Sequence, residues 1–269
     1  MGMNKFKLKA VVAAIALGAA AQANAALIDG NTGDGELFLS AWDTVKQVAY
    51  TLDTGMTISQ FKAVGNTAGA NISFNFAADA NWTTFRTNST SANTVWNIGA
   101  LDSTATGGVN YLATSTNPKT SFANQTSSGV AGMANTNNYI SALNALPGMQ
   151  ATANGSVYTV AADGLAYADN TYWGATYGSK ASGWTTTTGI DSSMGFFNLS
   201  PNTGSLSKAT TTQFGYADAS NTLQAGQWLL SSSGSLTYTT PSAVPVPAAL
   251  WLLGSAMVGL VGVARRKVA

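Results

Sequence analysis

Polar and apolar positions alternate in short runs along most of the chain. Asn71-Ile72-Ser73-Phe74-Asn75-Phe76 places Ile72, Phe74 and Phe76 on one face of an extended segment. Residues 36–42, ELFLSAW, form a short apolar run of strand length. Residues 156–160 are rich in β-branched and aromatic side chains, and residues 227–230 and 235–239 flank a turn around Gly234, as the arms of a hairpin do. Gly, Asn, Asp and Ser punctuate these runs. A helical period appears once clearly: Tyr139, Leu143 and Leu146 lie at i, i+4 and i+7, with Ile140 and Ala142 alongside. Asn137 or Asn138 is expected to cap that helix, and Pro147-Gly148 to stop it. A second short helix is expected near Ile58 to Val64. The pattern predicts a mainly β domain, a β-sandwich or jelly-roll-like body with a minor helical insertion.

The two ends break this pattern. Lys5, Lys7 and Lys9 precede an apolar run from Ala10 to Ala21, followed by Ala23-Asn24-Ala25 and then Ala26. A positive region, a short apolar core and a small-x-small site make a secretory signal peptide, with signal peptidase expected to cut between Ala25 and Ala26. The apolar core, about 12 residues, is too short for a membrane span. At the other end, residues 248–264 carry no charge, and Arg265, Arg266 and Lys267 follow at once. Such a helix is roughly 25 Å long, enough to cross a bilayer at its short limit, with the basic cluster held in the cytoplasm.

The junction before this helix reads Val244-Pro245-Val246-Pro247, and Gly254-Ser255 interrupts the apolar run. Both prolines fix their own φ and hold their neighbours extended, so the backbone ahead of the helix is stiff and non-helical. A Pro-x-Pro pair, an apolar helix with a Gly-Ser step and a basic end, in that order, resemble the PEP-CTERM sorting signal of Gram-negative bacteria that make exopolysaccharide. The resemblance covers about 25 of the 269 residues. Val246 stands where that family's central Glu lies. The resemblance implies an exported protein held transiently in the inner membrane by residues 248–264. It implies processing by exosortase, a membrane-embedded cysteine protease, and delivery to the cell surface or extracellular matrix. The expected organisation is therefore a signal peptide over 1–25, an exported β-rich domain over 26–240, and a stalk with sorting signal over 241–269.

Composition sharpens this reading. Only 9% of residues are charged, against about 25% in an ordinary soluble domain. The surface is solvated instead by 34 Thr, 26 Ser and 22 Asn. There is no Cys and no His, which excludes disulfides, thiolate or imidazole metal sites and triads built on either residue. Between the two signals lie all eleven acidic residues but only six basic ones, a net of −5. Nucleic acid is accordingly not an expected partner.

Candidate chemistry in the body is sparse. Asp29, Asn31, Asp34 and Glu36 crowd a Gly-rich stretch whose oxygens could hold Ca²⁺, although the spacing is not that of an EF-hand. The plain alternative is an acidic turn leading into the first strand. A glycosidase needs two facing carboxylates; Asp163 and Asp169 lie six apart in a Gly/Ala/Tyr segment, with structural Asp residues in turns as the plain alternative. Tyr172, Trp173, Tyr177 and Trp184 cluster in one Gly-rich segment, either as core or as faces for sugar rings. The function expected is that of a non-enzymatic surface or matrix protein, structural or adhesive, associated with exopolysaccharide. The alternatives are a secreted carbohydrate-active enzyme and a periplasmic protein that stays anchored in the membrane.

Overall fold

The computed structural model describes residues 26–104, 110–116, 135–150, 154–173, 187–200, 202 and 208–243. The signal segment over 1–25, and the sorting segment with Val244, Pro245, Val246, Pro247, Gly254, Arg265, Arg266 and Lys267, lie outside them.

Thirteen strands are described: β1 (Glu36–Asp43), β2 (Val48–Thr57), β3 (Asn71–Asn75), β4 (Thr94–Asp102), β5 (Asn110–Ser115), β6 (Ser156–Val160), β7 (Thr188–Gly189), β8 (Ser193–Ser200), β9 (Thr210–Gln213), β10 (Gly215–Ala217), β11 (Leu223–Ala225), β12 (Gln227–Ser231) and β13 (Ser235–Thr239). Eleven of them join in one antiparallel sheet. Its order is β3-β13-β12-β8-β5-β4-β1-β2-β6, with β7 on β4 and β9 on β8; β10 and β11 form a separate ribbon. The mainly β expectation holds. The strands follow one continuous hydrogen-bonded path rather than two separate stacked sheets, because each neighbour is paired without a break from β3 to β6.

The sheet buries both faces. Along β1, Leu37, Leu39 and Ala41 join one apolar cluster, while Phe38 and Trp42 join the other. A strand covered on both sides reads as a continuous apolar run, which is what residues 36–42 show. The first cluster gathers Trp96, Phe196, Trp228 and Tyr238 from the sheet around Phe61 of helix α1 (Ile58–Val64). Phe61 meets Phe196, Phe214 and Tyr238 edge-on, with ring centroids 5.0, 4.8 and 5.0 Å away. Such tilted contacts add about 0.5–1.5 kcal/mol each to the area they bury. Thr57 and Gln60 form a capping box that fixes where α1 begins.

The second cluster lies under helix α3 (Thr136–Asn144), preceded in the chain by α2 (Ala80–Asn88) and followed by the single turn α4 (Pro147–Gln150). The periodic residues behave as predicted: Tyr139 and Leu143 are buried, and Leu146, just past the helix, packs against the same cluster. The start differs from expectation. The N-cap is Asn135, and Asn137 lies inside the helix, its side-chain amide donating to Asn31 Oδ1 at 2.6 Å. A partner elsewhere in the fold has claimed the residue that sequence marked as a cap. The Tyr139 hydroxyl is wholly buried between the cross-strand pair Ser40 and Thr51, 3.1 and 2.7 Å from their hydroxyls.

That hydroxyl trio is the polar anchor of α3. Tyr139→Phe leaves two buried hydroxyls short of a partner and should lower stability by about 1–3 kcal/mol in chemical denaturation, with the fold retained. A change within error would show that Ser40 and Thr51 satisfy one another.

Candidate functional site

A sheet this wide curls, and its two ends come near each other. The meeting point is Tyr50 of β2. Its ring stacks on Phe76, just beyond β3, at 5.5 Å and meets Trp82 of α2 edge-on at 5.2 Å. Its hydroxyl donates to Asp79 Oδ2 at 3.2 Å. Burial, followed by the charge of Asp79, pushes the phenol well above its ordinary value, so it stays a donor. Asp79 also caps α2, its Oδ1 accepting from the Asn81 and Trp82 amides. Asn81 reaches across to the Ser156 carbonyl and hydroxyl of β6, both at 3.0 Å. Helix α2 therefore bridges the gap between the end strands.

Beside this bridge the two edges do not close, and a cleft of about 710 Å³ remains. Its lining includes Asp53 of β2, Ser73, Phe74 and Asn75 of β3, Asp79, and Asn154. The β2 wall is shaped by a bulge. Phe38 pairs with Asp53 and Glu36 with Thr57, so three residues of β2 oppose Leu37 alone. Gly55 lies in the bulge at φ +63, and a Cβ there would meet Asn154 Oδ1 at 1.8 Å. Both the backbone and the neighbour require glycine. Asp53 Oδ1 accepts from the Gly55 amide at 2.8 Å, and Gln60 accepts from the Thr57 amide, so the open edge of β2 has its donors engaged.

The β3 wall is different. The Ala70 carbonyl accepts from Thr240, and Phe76 donates to the Gly234 carbonyl. Residues 70, 72, 74 and 76 thus face β13, and the backbone groups of Asn71, Ser73 and Asn75 point away from it, along the outer edge of the sheet. Ile72 and Phe76 are buried and Phe74 is half-buried, as the alternation predicted.

Burial, and then the nearby charge of Glu36, push the Asp53 carboxyl up to about 7; the Gly55 amide opposes this. Burial also raises Glu36, against the Ile28 amide that it accepts at 2.8 Å. Among the described residues no Lys or Arg lines the cleft.

Neither a family model, nor a curated protein, nor a solved structure matches this chain.

The residues singled out in the sequence are dispersed. Asp29 accepts from the Asn31 amide and side chain, Asn31 Oδ1 accepts from Asn137, Asp34 accepts from the Ser59 amide, and Glu36 from Ile28. These oxygens serve separate contacts, those of Asp29 and Glu36 close in the chain and those of Asn31 and Asp34 to residues 106 and 25 positions away. Among the described residues no group of three or more Asp or Glu is placed to hold a metal. Ala26 is half-buried where the described chain begins; Ala23 and Ala25 lie outside it. Asp169 lines a second pocket of about 390 Å³ with Gln47, Tyr167 and Asn170. Asp163 is exposed and accepts from the Val160 amide instead. Trp173 is buried, stacked on Tyr139 at 5.8 Å and 4.7 Å from Phe38, so it is core rather than a sugar platform. Tyr177 and Trp184 lie outside the described residues. No described helix is long and apolar enough to cross a membrane, and residues 248–264 are not among those described.

Sequence reading missed Asp53 and Asn154. The signals were present: Asp53-Thr54-Gly55 inside a β-rich run marks a bulge, and Asn154-Gly155 marks a tight turn.

Asp53 makes stability depend on pH. Its folded-state value lies above its ordinary 3.8, so the folded protein holds the proton more tightly. Stability should be greatest near pH 4 and fall as pH rises towards about 7, by up to about 4 kcal/mol from this group. Glu36 adds a slope of the same sign. Asp53→Asn should flatten the fall and raise the melting temperature at pH 8 relative to the parent. An unchanged pH profile in that variant would locate the effect elsewhere.

Proposed function

We propose that this is an exported, non-enzymatic surface or matrix protein, carried to the membrane by its N-terminal signal and released by exosortase at its C-terminal one. The observation that supports it most is the order of parts. A basic and apolar leader, a charge-poor body and a Pro-x-Pro, apolar, basic tail follow one another. A body built on one curled sheet, with apolar clusters packed on both its faces, suits a scaffold or adhesin. So does a surface solvated by hydroxyls and amides, which stays hydrated without strong charge. Its partners in this reading are signal peptidase, exosortase, the inner membrane in passing, and exopolysaccharide.

A second reading, a carbohydrate-active enzyme, draws on one observation: a buried carboxyl with a raised value lines the cleft. Hydrolysis of a polysaccharide that disappears in Asp53→Asn would favour it over the scaffold.

The deciding experiment is the intact mass of the protein recovered from its producing bacterium, with both terminal peptides mapped. The expected product starts near Ala26 and ends between Val244 and Pro247. A product that retains Arg265 to Ala269 would overturn the sorting reading and leave a membrane-anchored periplasmic protein.

A further inference from the structure

We infer that the cleft between β3 and the β2 bulge is a binding site for an uncharged oligosaccharide. Its volume of about 710 Å³ lies within the range of ligand sites, about 300–1,000 Å³. The chemistry of the lining selects the class. Ser73, Asn75 and Asn154 are exposed side chains that both donate and accept, and Phe74 adds a half-buried ring whose other side faces Trp228 at 6.3 Å. The outward backbone groups of Ser73 and Asn75 lie along the same wall. A ligand that matches this lining has many hydroxyls and one apolar face.

Charge removes the competing ligands. A phosphate, nucleotide or uronate needs a cation, and among the described residues no Lys or Arg lines the cleft. A cationic ligand needs a free carboxylate. Asp79 is engaged with Tyr50, Asn81 and Trp82, and Asp53 is buried and accepts from Gly55. Burying an anion here would leave it without a cationic partner among the described residues. The inference deepens the proposed function, which supplies the setting in which such a polymer is met, but the site itself is defined by its lining alone.

The test is isothermal titration of the full-length chain with four neutral hexasaccharides, built on glucose (β-1,4 and α-1,4), mannose and N-acetylglucosamine. Hexagalacturonate serves as the anionic control, and a peptide with the Ser235–Thr239 sequence probes strand addition to β3. At least one neutral hexasaccharide should bind, and Phe74→Ala should weaken it roughly ten-fold. Ser73→Lys, at an exposed strand position, should abolish binding without opening the core, which an unchanged melting temperature would verify. Thr210→Ala, exposed on β9 and away from the cleft, should bind as the parent does. Failure of all four neutral probes overturns the inference, as does binding that ignores both cleft variants, binding of hexagalacturonate alone, or binding of the peptide alone. These outcomes are independent of terminal processing, so a chain that binds sugar but keeps its tail would sink the sorting reading and leave this one standing.

Discussion

Where the curled sheet brings its ends together, one side chain holds the junction. Tyr50 contributes a ring to the interior and a hydroxyl to Asp79, and Asp79 in turn begins α2. The helix then reaches β6 through Asn81. A sheet edge left open exposes a row of unpaired backbone groups, and this fold manages the two end strands differently. Beyond β6, the edge of β2 is bulged, with its amides taken up by Asp53 and Gln60. The edge of β3 is short, polar on its outer residues and set back in a cleft. The cleft is therefore a consequence of incomplete closure, and its chemistry follows from how each edge is finished.

The interior explains how so weakly charged a chain holds together. With no disulfide and no metal ligand of the Cys or His type, cohesion comes from aromatic and aliphatic burial on both faces of one sheet. Several polar groups are buried inside, and some of them are held by close neighbours in the chain. Asp43 illustrates the pattern at the β1–β2 turn. Burial raises its carboxyl, but the amides of Lys46, Thr90 and Val45 and the Thr90 hydroxyl outweigh this and hold it below the usual range. The same carboxylate fixes the hairpin turn and ties it to the loop ahead of β4. Asp53 is the contrast, buried with one amide donor and a neighbouring carboxyl, and so it keeps its proton to higher pH.

Function in this molecule is divided between segments. In the proposed reading, the ends carry address information for the export pathway, written as linear patterns of charge, apolarity and proline. The body carries surface chemistry: hydroxyls, amides and a half-buried ring gathered at one seam. A structural or adhesive role asks only that the body be rigid, hydrated and able to hold a polymer weakly at a defined place.

The sequence alone determined the elements whose physics is local. The Ile72–Phe74–Phe76 alternation, the hairpin around Gly234, the capping pattern at Thr57 and the Tyr139–Leu143 helix face all follow from neighbours a few residues apart. The two proposed terminal signals are likewise patterns of the sequence itself, linear by nature. Tertiary structure alone decided the rest. Strand order is non-local, with β3 pairing to β13 across more than 150 residues and no local pattern to specify it. The fate of Asn137, Trp173 and the acidic residues 29–36 depended on which partner the fold brought near. The cleft itself combines residues from three separate stretches of chain, those around 53, 73–79 and 154. A linear reading sees each as an ordinary polar or aromatic position; only closure of the sheet makes them one surface.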